Sequence, residues 1–265
     1  MSQILVGCDP EVFVRQNGVF RSAHGLIPGD KKNPHKVRNG AVQVDGMALE
    51  FNIDPAASED QFVLSVQDVF QQMSAMVPGY EVVAVPVAHF DPAYMKEQPK
   101  EALELGCDPD FNAWTGAPFV KPNADRPMRT ASGHVHIGWT NGEKLEDAVH
   151  VGNGRAVTKQ MDFFLGLGSL FYDSDKERRE MYGKGGCHRI KPYGVEYRTL
   201  SNAWLLNEKR MRWVYRQVQK GMEALMNGND LSNRHGDVQE IINTSNLAEA
   251  ERILKAENME IPRGY

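Results

Sequence analysis

Cysteine is scarce in this chain: Cys8, Cys107 and Cys187 are all that 265 residues contain. Their odd number, their wide spacing and the lack of any C-x-x-C exclude a disulfide framework and a zinc knuckle, and favour a reducing compartment. Long apolar runs are missing as well. None approaches the ~18 residues of a membrane span. The opening M-S-Q-I-L-V-G has neither the basic region nor the apolar segment of a signal peptide. Basic charge is not in excess either. Thirty Lys and Arg against 35 Asp and Glu leave a net charge of −5, which argues against a general binder of nucleic acid or of membrane surfaces. A cytoplasmic location is the resulting expectation. No G-x-x-x-x-G-K-[ST] run is present, so a P-loop is excluded. What remains is 41% hydrophobic and 25% charged, the composition of an ordinary globular protein of one large domain or two closely joined ones.

The sequence does contain a stretch that packing alone explains poorly. Thr130–Trp139 reads T-A-S-G-H-V-H-I-G-W. On a strand, His134 and His136 share one face while Val135 and Ile137 share the other. The apolar pair anchors the strand in a core, and the imidazoles are left to bind a divalent cation or an anion, or to be hydrogen-bonded in place. The same pattern recurs three times. Asp9 and Glu11 follow Ile4-Leu5-Val6, Glu50 and Asn52 follow V-D-G-M-A-L, and Glu196 and Arg198 precede T-L-S-N. Each is a polar i, i+2 pair in a segment that otherwise reads as half-buried strand. Unpaired buried carboxylates cost several kcal/mol each. Four such pairs converging would form an acidic bowl rimmed by imidazole and guanidinium, which outlines a magnesium–nucleotide site with Arg198 available to phosphate.

Around these pairs, Asn17-Gly18 signals a hairpin. Asp9-Pro10 reads either as turn chemistry or as part of the site. The loop His24–Lys36, with Lys31, Lys32 and Lys36, reads either as a solvated basic loop or as a flap over an anionic substrate. Ser58–Gln61 forms a capping box for a helix that runs to Pro78-Gly79, with Val63, Val66, Val69, Phe70 and Met73 inward. Tyr80–His89 has the β-branched composition of a central strand. Gly106–Phe111 echoes Gly7–Val12, an exposed Asp-Pro turn or a second acidic pair carrying Asp108 and Asp110. Trp114–Arg129 is a long loop of the kind that often carries function. Glu143–Tyr172 predicts one long helix, Asp175–Tyr182 a short basic one and Glu208–Met226 another amphipathic one. Gly183-Lys184-Gly185-Gly186 reads either as a flexible turn or as a backbone cradle for phosphate. The domain expectation is a catalytic unit over 1–228 with a helical extension over 229–265.

In their order, G-C-D-P-E-V-F, V-D-G-M-A-L-E-F-N, S-G-H-V-H-I-G and V-E-Y-R-T-L-S-N resemble the phage-type carboxylate–amine ligases. These belong to the glutamine synthetase-like superfamily that also holds the glutamate–cysteine ligases, and the resemblance spans Gly7 to Asn202. It implies an α+β fold in which a curved antiparallel sheet carries the site on its concave face, with helices behind. It implies ATP with Mg2+, or Mn2+, as cofactors. Glu11, Glu50, His136 and Glu196 resemble the metal ligands, and Asp9 stands where the glutamate–cysteine ligases carry the first Glu of E-x-E. Arg198 resembles the arginine that meets the transferred phosphate, with His134 and Asn52 beside the nucleotide. Lys184, Arg189, Lys121 and Arg129 are candidates for phosphate or acceptor carboxylate. Asp9, Asp45 and Asp108 are candidate bases for the amine. The implied partners are a small-molecule or peptide carboxylate and an amine donor, joined through an acyl phosphate, with no nucleic acid and no membrane. Two rivals use the same residues: a metal-dependent hydrolase, which predicts tight zinc and no response to ATP, and a nucleotide-binding protein without turnover on the same scaffold.

Overall fold

A computed structural model describes residues 3–103, 110–120 and 126–264. Cys107, Asp108 and Lys121 lie outside these residues. The centre of the fold is β1 (Leu5–Gln16), a strand long enough to pair on different parts of its length with four others. Its first half is flanked by β10 (Gly133–Gly138), and its middle meets β5 (Ala48–Ile53). Its far end meets β2 (Val19–Arg21) and β6 (Glu81–Val83). The hairpin to β2 turns at Asn17 and Gly18, both with positive φ, as N-G predicts. Outward from β5 come β4 (Gly40–Asp45) and β3 (His35–Val37). Outward from β10 come β12 (Gly194–Tyr197), β11 (Cys187–Lys191) and β8 (Phe111–Asn112). Every pairing in this ten-stranded sheet is antiparallel.

Alternation divides the sheet into two chemistries. Val6, Val12, Leu49, Phe51, Val135, Ile137, Val195 and Tyr197 are fully buried on one face. Against that face lie α1 (Glu59–Ala75) and α4 (Ala148–Met161), with α6 (Glu208–Met226) packed on both. At roughly 25 cal/mol per Å2 of apolar surface removed from water, this layer is the main stabiliser of the fold. Ser58 caps α1 by accepting the Gln61 amide at 3.2 Å, and Val63, Val66, Val69 and Met73 turn inward as their spacing requires. The opposite face of the sheet is polar, and the candidate site lies there.

Two sequence expectations are corrected. Tyr80–His89 is not a central strand. Pro86 has no N–H to donate to a ladder, and the segment breaks into β6 and β7 (Val87–His89), which pairs only with β9 (Met128–Thr130) in a separate two-stranded ribbon. The helix predicted over Glu143–Tyr172 starts only after Asp147, whose side chain caps the His150 amide. It then widens into a π-helical stretch, Asp162–Leu167. Short helices α2 (Pro92–Lys96), α3 (Lys100–Leu103) and α5 (Glu177–Met181) occupy the connections. The C-terminal residues form α7 (Val238–Asn243) and α8 (Leu247–Ala256), whose Val238, Ile241, Ile242, Ile253 and Leu254 bury against Phe163, Phe164 and Leu167. Among the described residues no helix is long and apolar enough to cross a membrane.

Candidate functional site: two carboxylate clusters on one sheet face

The i, i+2 pairs converge because the ladder register aligns them. Glu11 on β1 lies directly opposite Glu50 on β5, and Asp9 opposite His134 on β10. His136 lies opposite Glu196 on β12, which in turn lies opposite Arg189 on β11. Directly opposed residues share a face, so all of these side chains stand on the polar side. They sort into two groups. Ligand atoms of Asp9, His136 and Glu196 lie within 4.8 Å of one another, as do those of Glu11, Asp45 and Glu50. The four residues expected as metal ligands from the sequence divide between the two groups, Glu11 and Glu50 in one and His136 and Glu196 in the other. Asp9 and Asp45 complete the two sets. Hard oxygen donors with one imidazole are the chemistry of a magnesium or manganese site, and either group could hold one such ion.

Charge is handled differently in the two clusters. Glu196 is almost fully buried; its Oε2 lies 2.8 Å from Lys191 Nζ and its Oε1 pairs with Arg198. His136 Nε2 is 3.0 Å from Asp9 Oδ1, and His134 Nδ1 is 3.3 Å from the same atom. Asp9 Oδ1 and Glu196 Oε2 are held by ion pairs and keep lone pairs for a cation, whereas His136 Nε2 faces Asp9 as a donor and would give up its proton to ligate one. Burial and the Asp9 charge push the Glu196 carboxyl up, but Arg198, His134 and His136 outweigh them and hold it at about 2. Asp9 likewise stays well below the usual carboxylate range, because the two histidines overcome its burial. Burial, helped by Arg198, lowers His134, whereas Asp9 and Glu196 overcome burial and raise His136. The second cluster is the reverse. Burial and the Asp45 charge raise Glu11 to about 7, and burial with Asp9, Asp45 and Glu11 raises Glu50 well above its ordinary value.

The supporting residues are largely ones the sequence left in the background. Ser132 N donates to Glu11 Oε2 at 2.7 Å, and Asn202 Nδ2 holds the Glu11 carbonyl at 2.8 Å. Buried Arg178 donates to the carbonyls of Thr199 and Leu200 and to Ser132 Oγ, locking the end of β12 to the start of β10. Arg198 stands just past β12 with its Nε 2.8 Å from Asp110 Oδ1, and Arg189 is 3.1 Å from the same oxygen. Of the two readings of the Gly106–Phe111 echo, Asp110 therefore supports the acidic one. Tyr193, in the β11–β12 turn, bonds His136 Nδ1 through its hydroxyl and so presents Nε2 to Asp9. Its signal was the two-residue turn before Gly194, which register alone does not aim.

Other predicted residues sit elsewhere. In the glycine turn, Gly185 N donates to Asn243 Oδ1 and Gly186 N to Asp162 Oδ1, so these amides are not free to cradle phosphate. Lys184 uses its carbonyl to accept from Thr199. Arg129 spends its guanidinium on the carbonyls of Leu103, Arg126 and Met128, and thereby ties together the ends of the long connection instead of meeting a substrate. Asn52 lines a cavity of about 630 Å3 whose walls include Leu5, Ile53, Pro55, Trp139 and Tyr193, and which also reaches Asp9, Glu50 and His136.

These shifts fix how the metal-free protein responds to pH. Glu11 and Glu50 have folded-state values above their unfolded ones, so their contribution to stability is fully present below pH 4.5 and is lost as pH rises through the folded values. For Glu11, from its ordinary 4.5 to about 7, the loss is roughly 3 kcal/mol at about 1.4 kcal/mol per unit. Asp9 and Glu196 are already ionised throughout this range. Melting temperature without metal is therefore expected to fall between about pH 5 and about pH 7, and saturating Mn2+ should flatten the slope. A metal-free melting temperature that rises across this interval would contradict the arrangement. The chain matches no protein-family model and no curated protein.

Proposed function

We propose that this protein is an ATP-dependent carboxylate–amine ligase on a glutamine synthetase-like sheet, forming an amide through an acyl phosphate. The observation that carries the reading is the pair of carboxylate clusters on one sheet face, with Arg198 reaching Glu196 of the first. The residues fit divalent ions because both sets are oxygen-rich and in the first Asp9 Oδ1 and Glu196 Oε2 keep lone pairs for a cation. Asp9, His136 and Glu196 would hold one ion, and Glu11, Asp45 and Glu50 a second. Bound there, the ions would neutralise charge between two anionic reactants and orient them in line. The cavity beside the first cluster supports a nucleotide: its apolar and aromatic walls suit a flat base, and it opens directly onto Asp9 and His136.

The chain's own residues then have defined work. Arg198 would stabilise the phosphoryl oxygens as the group passes from ATP to the substrate carboxylate and ADP leaves; the amine then attacks the acyl carbonyl and the phosphorylated oxygen departs as phosphate. His136, oriented by Tyr193, keeps Nε2 toward the first cluster. Asp9 is held ionised by the histidines and so carries no proton to give, and Asp9 and Asp45 both remain candidate acceptors for the proton of the amine.

Thermal melting tests the reading. ATP with Mg2+ should raise the melting temperature of the wild type, ATP with EDTA should not, and Glu196→Gln should lose the response. ADP release dependent on both an amine and a carboxylate would follow. A shift with zinc and none with Mg-ATP would sink the ligase and favour the hydrolase.

A further inference from the structure

The floor of the cavity has a composition that the fold does not require. In the pairing of β1 with β10, Leu5 lies opposite Gly138 and Gly7 opposite His136, so the two glycines are diagonal neighbours on the polar face. Both line the cavity, together with Leu5, Trp139 and Tyr193. Glycine weakens a strand, and it marks a bulge, a tight bend or a close approach by something else. The ladder here runs without interruption from Leu5 to Pro10, and neither glycine has a positive φ. The protein itself does not crowd them either. A Cβ on Gly7 would meet His136 Cβ at 3.5 Å and the Ile53 carbonyl at 3.9 Å, and one on Gly138 would meet Tyr193 and Leu5 atoms at 3.6–3.8 Å. These are ordinary contacts. Gly133 and Gly194 of the same sheet are different, since a Cβ there would lie 2.4 Å from the Ser201 carbonyl and 2.1 Å from the Ile137 carbonyl.

We infer that Gly7 and Gly138 keep this stretch of sheet bare so that the nucleoside of ATP lies flat on its backbone, and that these two positions set the nucleotide affinity. The inference rests on the ligase reading for the identity of the ligand. The register also orients that ligand. Residues on one face of a strand are about 7 Å apart, so the pairs Leu5/Gly138, Gly7/His136 and Asp9/His134 are successive steps along one line. The first step is apolar: Leu5 is left 36% exposed there beside Trp139 and Tyr193, and this end suits the base. The last step holds Asp9 of the first carboxylate cluster, where a bound ion would draw the phosphates. Gly7 lies between them, under the sugar. A side chain at either glycine would lift the nucleoside off the sheet while the phosphates stay fixed at the cluster, and the two ends could no longer be satisfied together.

The test is the binding of ATP and of inorganic tripolyphosphate, each with Mg2+, to the full chain by calorimetry, in wild type, Gly138→Ala and Gly7→Ala. Tripolyphosphate carries the phosphates without the nucleoside, so the ratio of the two affinities isolates what the floor contributes. Each alanine should weaken ATP by about tenfold, the effect of one misplaced methyl group in a fitted pocket, and leave tripolyphosphate unchanged. The melting temperature of both variants should equal or exceed that of the wild type, because alanine fits the backbone and the space at both positions. An unchanged ATP affinity in either variant, an equal loss of both ligands, or a melting temperature lowered by more than about 4 °C would each overturn the inference. The wild type reports on the ligase reading separately. Binding of ATP that survives the alanines leaves that reading standing, whereas a wild type that binds neither ligand removes both.

Discussion

Arg198→Met should abolish turnover while leaving a folded protein. Arg198 touches Glu196, lies 2.8 Å from Asp110 and 3.1 Å from His134, and is buried between them. Its loss leaves neither carboxylate alone: Glu196 keeps Lys191 and Asp110 keeps Arg189. The stability cost is therefore well under the roughly 3–5 kcal/mol of a truly orphaned buried charge. The chemical cost is larger. A guanidinium that stabilises phosphoryl oxygens in the transition state contributes about 10³-fold or more to kcat. Amide formation, followed as ADP release in the best amine and carboxylate mixture found for the wild type, should fall by at least that factor. Arg198→Lys should recover only part of it, since an ammonium lacks the planar fork. A turnover within tenfold of wild type for Arg198→Met would remove this residue from the mechanism.

Gly133→Ala is expected to be strongly destabilising. Gly133 has an ordinary backbone conformation, but a Cβ there would lie 2.4 Å from both the Ser201 carbonyl and the Trp204 indole nitrogen. The residue is clamped from both sides: its amide donates to the Leu200 carbonyl at 3.0 Å, and its carbonyl accepts from Trp204 Nε1 at 3.0 Å. Trp204 is fully buried against Phe62, so the ring cannot retreat. Overpacking with loss of these bonds should lower unfolding free energy by about 3–5 kcal/mol. Chemical denaturation measures it, and a loss under about 1 kcal/mol would show that the 132–134 and 200–204 segments move apart easily. The neighbouring Ser132 N positions Glu11, so any surviving folded fraction should also bind the second Mn2+ ion more weakly.

Some of this was present in the sequence in a form that physics makes readable. Period-two alternation in Ile4–Glu11, Ala48–Asn52, His134–Ile137 and Val195–Arg198 determines that each strand has one apolar and one polar face, because a strand has no other way to dispose successive side chains. The Asn-Gly hairpin, the Ser58 cap and the α6 helix follow equally from local chemistry. The pairing of Glu11 with Glu50 and of His136 with Glu196 does not. Register between strands 39 and 60 residues apart in the chain is set by the fit of the whole apolar face onto α1 and α4, and a slip of one residue would turn every carboxylate inward. That register sorted the candidate ligands into two groups and drew in Asp9 and Asp45. It also consigned Arg129 to carbonyls. Loop destinations were the least legible part. Lys31 and Asp110 each kept two readings in the sequence, a solvated loop or a substrate flap for the first and an exposed turn or a second acidic pair for the second, and only the folded chain, through Gly29 pressed on β4 and through β8 paired to β11, decides that the first reaches Asp45 and the second Arg198. The sequence by itself determined which side chains could carry the chemistry, since periodicity is local; the tertiary structure decided their grouping, since distance in space is not.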